Sequence, residues 1–142
     1  MKDLLRAVLD TNVILASQRT AHPTSPNREI SDRWLAGEFT LLVSDDIAVE
    51  YAEKLHASGK DPARIESFLA DVFLLAEFVE IRFFHFRHYP VDADDISFLL
   101  CAANGAASHL VSYDQHLLDI GVFYEEFCAL NPLEFLQELR EG

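Results

Sequence analysis

Three short apolar runs in this chain each stop at a polar residue and lead into a helix-forming stretch. Ala7-Val8-Leu9 stops at Asp10, Leu41-Leu42-Val43 at Ser44, and Leu110-Val111 at Ser112. Runs of this length and character read as buried strands. The stretches between them carry helical periodicity. Ile47, Tyr51 and Leu55 recur every four residues, and Ile65, Phe68, Leu69, Val72 and Leu75 form a second apolar face. Strands alternating with helices predict an α/β fold with three layers, α/β/α, around a central parallel sheet, and place the N-terminal strand near its centre.

The local signals set expected boundaries. A strand covers 6–10, and Asn12 caps a short helix starting near Val13. Residues 18–27 have loop chemistry, with Pro23 and Pro26, and a helix over 27–36 stops at Gly37. A strand follows at 39–43, then a helix from the cap Ser44 to about Ala57. Asp61-Pro62 opens the next helix, and a third strand is expected over 79–84. The helix over 94–107 begins with acids that suit its dipole. Residues 109–112 read as a strand, 115–119 as a short helix, and the ambiguous 121–127 as room for a fifth strand. Asn131-Pro132 opens a final helix.

With 142 residues, half of them hydrophobic, the chain fits one compact domain over 1–142. No linker or repeat divides it, and no apolar run is long enough to span a bilayer. The N-terminal charges interrupt any signal-peptide pattern, so a cytoplasmic protein is expected. Cys101 and Cys128 share no motif spacing and read as two buried free thiols. The net charge of −13 repels nucleic acid at long range. That charge suits either a metal site plus solvated faces or a basic protein partner.

Four acidic positions stand where a strand or turn hands over to a helix: Asp10, Glu50, the pair Asp94 and Asp95, and Asp114. Each has a plain structural reading. Glu50 lies four residues before Lys54, the spacing of a helical ion pair. Asp94 and Asp95 suit a helix N-terminus, and Asp114 suits a cap. Together they suggest more, because ligands collect outside the carboxyl ends of strands in open α/β sheets. Carboxylates meeting there repel one another unless a hard divalent cation joins them, and such cations prefer oxygen. The expected chemistry is metal-dependent hydrolysis of phosphodiesters.

The order Leu9-Asp10-Thr11-Asn12-Val13, Glu50-Tyr51, Asp92-Ala93-Asp94-Asp95 running into Phe98-Leu99, and Leu110-Val111-Ser112-Tyr113-Asp114 resembles a PIN domain. It is especially similar to the branch of toxin components of toxin–antitoxin systems. The resemblance runs from residue 6 to the helix Pro132-Leu133-Glu134-Phe135-Leu136. It implies a central parallel sheet and a Mg²⁺- or Mn²⁺-dependent ribonuclease. Catalytic roles fall on Asp10, Glu50, Asp95 and Asp114. Metal binding falls on Asp10, Asp95 and Asp114, with Asp94 adjacent, and supporting roles on Asn12 and Ser112. Ala93 and Ile96 stand where this branch often has a proline and a third consecutive acid, and Gln115 where a lysine is common; no carboxylate is lost by this.

Arg19 and Arg28 lie near the loop after the first strand, and Arg82 and Arg87 just before the acidic motif, interleaved with Phe83, Phe84, Phe86 and Tyr89. Arginine neutralises phosphate and bases stack on aromatic rings, so these four arginines are the expected RNA contacts. Core phenylalanines with a solvated charged face are the plain alternative. The reading is a metal-dependent endoribonuclease, the toxin of a toxin–antitoxin module, with RNA as substrate, a basic antitoxin as partner and a homodimer as assembly. The competing class is a catalytically inactive PIN-like protein-interaction module.

Overall fold

The computed structural model describes residues 3–19, 25–82 and 95–142, and of Arg19 only the backbone. Asp94, Arg87, the aromatic stretch 83–89 and the Arg19 side chain lie outside the described residues.

Five strands form the sheet: β1 (Leu5–Leu9), β2 (Phe39–Val43), β3 (Glu77–Phe78), β4 (His109–Val111) and β5 (Cys128–Leu130). Their order is β3-β2-β1-β4-β5 and every pairing is parallel. The N-terminal strand is therefore central, as expected. Ala7, Val8 and Leu9 are all buried, as are Leu41, Leu42 and Val43. Successive strand residues point to opposite faces, so consecutive burial means that both faces are covered by helices. These are α1 (Thr11–Arg19), α2 (Pro26–Leu35), α3 (Asp45–Ala57), α4 (Pro62–Leu75), α5 (Ile96–Asn104), α6 (Gln115–Gly121) and α7 (Pro132–Glu141).

The helix ends follow local chemistry. Ser44 accepts from the Ile47 N–H at the start of α3, and Asp61 from the Ala63 N–H at the start of α4. Asn131 and Glu134 form a reciprocal capping box on α7. After α2 the chain reverses at Gly37, whose φ of +80° suits a residue without a Cβ. Asn12 is not a cap. The helix begins two residues earlier than expected, at Thr11, and the Asp10 carbonyl accepts from Val13 at 3.0 Å and Ile14 at 3.3 Å; Asn12 is exposed in its first turn.

Three other expectations shift. β3 is a two-residue edge strand that ends before Val79; of the expected run over 79–84, residues 79–82 form no strand and 83–84 lie outside the described residues. The Val79 N–H still reaches the Val43 carbonyl at 2.7 Å, but Arg82 N–H has already turned to the Asn104 side chain at 2.8 Å. β5 lies beyond 121–127. Gly121 sits so close to Ala129 that a Cβ there would come within 2.3 Å of the alanine Cβ, which makes Gly121 the packing point of α6 on β5. Cys101 is a buried free thiol, with burial pushing its pKa up to about 12, but Cys128 is exposed. Among the described residues no helix is long and apolar enough to cross a membrane.

Candidate functional site at the carboxyl ends of β1 and β4

The strand order reverses between β1 and β4: β2 and β3 extend to one side and β5 to the other. That is the switch point where open α/β sheets leave a crevice. Leu9 is in register with Val111, so the chain leaves the sheet on both sides of the crevice together, at Asp10 and at Ser112. Asp10 N–H still donates to the Val111 carbonyl at 2.9 Å, which fixes its backbone to β4.

The Asp10 side chain is only 7% exposed. Its Oδ1 accepts from the Thr11 N–H at 2.7 Å and its Oδ2 from the Ser112 hydroxyl at 2.6 Å. The second bond has the length of a charge-assisted O–H···O⁻ contact. Ser112 Oγ in turn accepts from the Asp114 N–H at 2.9 Å. One buried hydroxyl thus ties the two acids together. Burial raises the Asp10 pKa above the usual carboxylate range. The bonds from Ser112 and Thr11 pull it back, and the charges of Asp114 and Glu50 push it up again. The charges of two other expected acids, Asp114 and Glu50, are thus felt at Asp10.

Glu50 comes to this place from the first turns of α3. Among the described residues it does not pair with Lys54; it accepts a hydrogen bond from the Thr11 hydroxyl. Its neighbour Tyr51 is fully buried and donates its hydroxyl to the Leu9 carbonyl, the last of β1. Burial, then Cys101, Asp10 and Glu50, raise the Tyr51 pKa well above its ordinary value, so it stays a neutral donor. Thr11 and Tyr51 are the residues sequence reasoning missed. Both lie inside the motifs that gave Asp10 and Glu50, and a hydroxyl next to each acid was the available signal.

Asp114 keeps its structural role as well, capping α6 through the His116 N–H at 2.9 Å. Asp95 is 5% exposed, and its side chain does not cap α5. The far end of α5 meets the start of β1: Arg6 donates to the Gly105 carbonyl at 2.8 Å. Because α5 packs along β1, β2 and β4, its first residues, and Asp95 with them, lie toward the carboxyl ends. Among the described residues no three Asp, Glu, His or Cys side chains gather as a metal-holding group. What is present is a set of oxygen donors around one buried carboxylate that its acidic neighbours disfavour. That donor chemistry fits a hard divalent cation.

The arginines divide. Arg28 starts α2 beside Asn27, whose side-chain amide donates to the Tyr113 hydroxyl at 2.6 Å. The Arg28 side chain pairs with Asp32 at 3.4 Å and lines a surface cleft with Ser17, Gln18, Arg64 and Asp71, between α2, the end of α1 and α4. Arg82 is held at the Asn104 end of α5, about 13 Å along the helix from Asp95 at 1.5 Å per residue. It pairs with Glu80 at 3.0 Å.

A family model described as PIN domain matches residues 6–116. The chain belongs to the PIN-domain family. PIN domains are generally nucleases that use divalent metal ions, and the matched span contains all of Asp10, Glu50, Asp95 and Asp114. Among solved structures, the chain is similar to the crystal structure of PAE2754 from Pyrobaculum aerophilum. The identity is 16%, 97% of each chain is covered, and the TM-score is 0.67; this likeness concerns the fold. Among curated proteins none matches.

Proposed function

We propose that this PIN domain is a Mg²⁺- or Mn²⁺-dependent endoribonuclease acting in the cytoplasm, and the toxin of a toxin–antitoxin module. The observation that carries the reading is Asp10. It is a carboxylate at the switch point, held by Ser112 and Thr11, whose pKa is raised by burial and then by the charges of Asp114 and Glu50.

Asp10, Asp95 and Asp114 would hold the cation, with Asp94 beside them. When bound, the cation supplies positive charge against the negative charge that builds on the phosphoryl oxygens. The chain's own residues do the rest. Ser112 keeps the Asp10 carboxylate oriented and ionised. Thr11 fixes one oxygen of Glu50, leaving the other to orient the attacking water and take its proton. Asn12, exposed on the first turn of α1, stands beside Asp10 for substrate contact, and Arg28 is a candidate phosphate contact. Attack by water leaves a 5′-phosphate and does not use the ribose 2′-hydroxyl.

RNA is the proposed substrate, and a basic antitoxin segment fits the acidic surface. A homodimer is supported by Phe73, Leu74 and Leu75, exposed together at the end of α4. The test is cleavage of end-labelled RNA with Mn²⁺ or Mg²⁺, beside Asp10→Asn and a substrate with one 2′-deoxy linkage. Metal-dependent cleavage lost in Asp10→Asn and retained at the deoxy linkage is expected. The second reading, an inactive interaction module, draws on the lack of a three-donor group among the described residues. It would be favoured by wild type and Asp10→Asn being equally silent.

A further inference from the structure

We propose that Tyr113 is the platform on which one nucleobase of the substrate stacks beside the reacting phosphate. The proposal rests on the nuclease reading. Tyr113 sits between Ser112, which holds Asp10, and Asp114, whose N–H is bound to Ser112. Its backbone is therefore tied into the site from both sides. Tyr113 is 51% exposed, whereas Tyr51, beside Glu50, is fully buried. The ring is nevertheless not loose. The hydroxyl is held at 2.6 Å by the side-chain amide of Asn27, itself only 7% exposed at the start of α2. A buried amide spent on positioning an exposed ring leaves a fixed π-surface facing solvent at the mouth of the crevice.

Such a surface recognises unpaired bases. Stacking on an aromatic ring is tolerant of sequence because every base has a π-face. It also needs no positive charge, which suits an acidic protein. A duplex does not offer its base faces, so the platform selects single-stranded RNA, where bases can be splayed out. The phosphate next to the stacked base is then the one carried to Asp10 and Asp114.

The test is a short single-stranded RNA and a set of its variants, each with one abasic position, cleaved under single-turnover conditions in Mn²⁺. Wild type, Tyr113→Ala and Tyr113→Phe are compared. Wild type should show one abasic position at which the half-saturating enzyme concentration rises roughly tenfold, within the range measured for base stacking, while the maximal rate is held. Tyr113→Ala should show that same loss on intact RNA and no further loss at that position. Tyr113→Phe, which keeps the ring, should retain the position-dependent loss. A wild type that cleaves RNA with no such position overturns the platform alone, as does Tyr113→Ala keeping the full abasic penalty. Tyr113→Phe falling as far as Tyr113→Ala also overturns it, because the hydroxyl rather than the ring would then be at work. A wild type that cleaves no RNA overturns the platform together with the nuclease reading.

Discussion

Removing the Ser112 hydroxyl should destabilise the protein in a way that depends on the charge of Asp10. Ser112 is fully buried, donates to Asp10 at 2.6 Å and accepts from the Asp114 N–H at 2.9 Å. Ser112→Ala deletes both bonds and adds no bulk. A hydrogen bond to a charged group is worth about 1.5–3 kcal/mol, and an ordinary one about 1. A net loss of about 2–3 kcal/mol follows at neutral pH, since the partly exposed Asp114 region can recover some of the second bond from water. For 142 residues, an unfolding entropy of about 2.1 cal/mol/K per residue makes this a fall in Tm of roughly 7–10 °C.

The pH dependence is the sharper part. The Asp10 pKa is raised in the fold. Its contribution to stability is therefore fully present below its unfolded pKa and lost as pH rises through the folded one. Ser112 opposes that loss by binding the ionised form. The gap between wild type and Ser112→Ala should be small in acid and widen as pH rises through the Asp10 titration. Thermal melts of both proteins and of Asp10→Asn, from pH 4 to 8 without divalent metal, measure it. A gap that stays constant across that range would show that Ser112 acts on packing and not on the charge of Asp10.

Saturating Mn²⁺ should raise Tm. At about 100 times the dissociation constant the linkage is roughly 2.7 kcal/mol, or about 9 °C for a chain of this size; a scan unchanged in Mn²⁺ would refute cation binding at the site. Tyr51→Phe leaves the Leu9 carbonyl without its buried donor and should cost about 1–2 kcal/mol in urea unfolding, with a loss under a few tenths counting against the bond. Glu29, between Arg140 and Arg33, has its carboxyl pKa lowered to about 2. Its stabilisation should therefore be present above the ordinary carboxylate range and vanish as pH falls through about 2, and Arg140→Ala should move the carboxyl midpoint upward in an NMR titration.

The fold was legible where a segment is buried on both faces or carries a cap. β2 and the Ser44 and Asn131 caps fall where the residues say, because burial and capping act within a few residues of sequence. The edges were not legible. β3 was expected at 79–84, but Glu77 is drawn into the sheet by its ion pair with Arg6, a residue 71 positions away. Cys128 looked apolar in its window and is exposed because β5 is the sheet's last strand. The site shows the same division. Asp10 and Asp114 were readable from strand ends, and Ser112 from its place in the last motif. Glu50 read most simply as a partner of Lys54. Its bond to Thr11 spans 39 positions and is fixed by the packing of α1 on α3, which no local pattern encodes.

The net charge makes a last prediction about how RNA is held. Arg6, Arg33, Arg82 and Arg140 already pair with glutamates, so little positive charge is left to meet phosphate. Arg28, itself paired with Asp32 near the start of α2, is the proposed phosphate contact among the arginines whose side chains are described. Single-stranded binding releases counterions with a slope of about −0.7 per neutralised phosphate. One such contact thus predicts a log–log salt slope of about −0.7 at fixed Mn²⁺. Arg28→Ala should bring it close to zero, while Arg6→Ala, at the opposite end of the sheet, should leave it unchanged. RNA binding across a sodium chloride series decides. A slope steeper than about −3 would mean an extended basic path. RNA would then be held mainly by charge, and the view that a cation and an aromatic surface do most of the holding would be wrong.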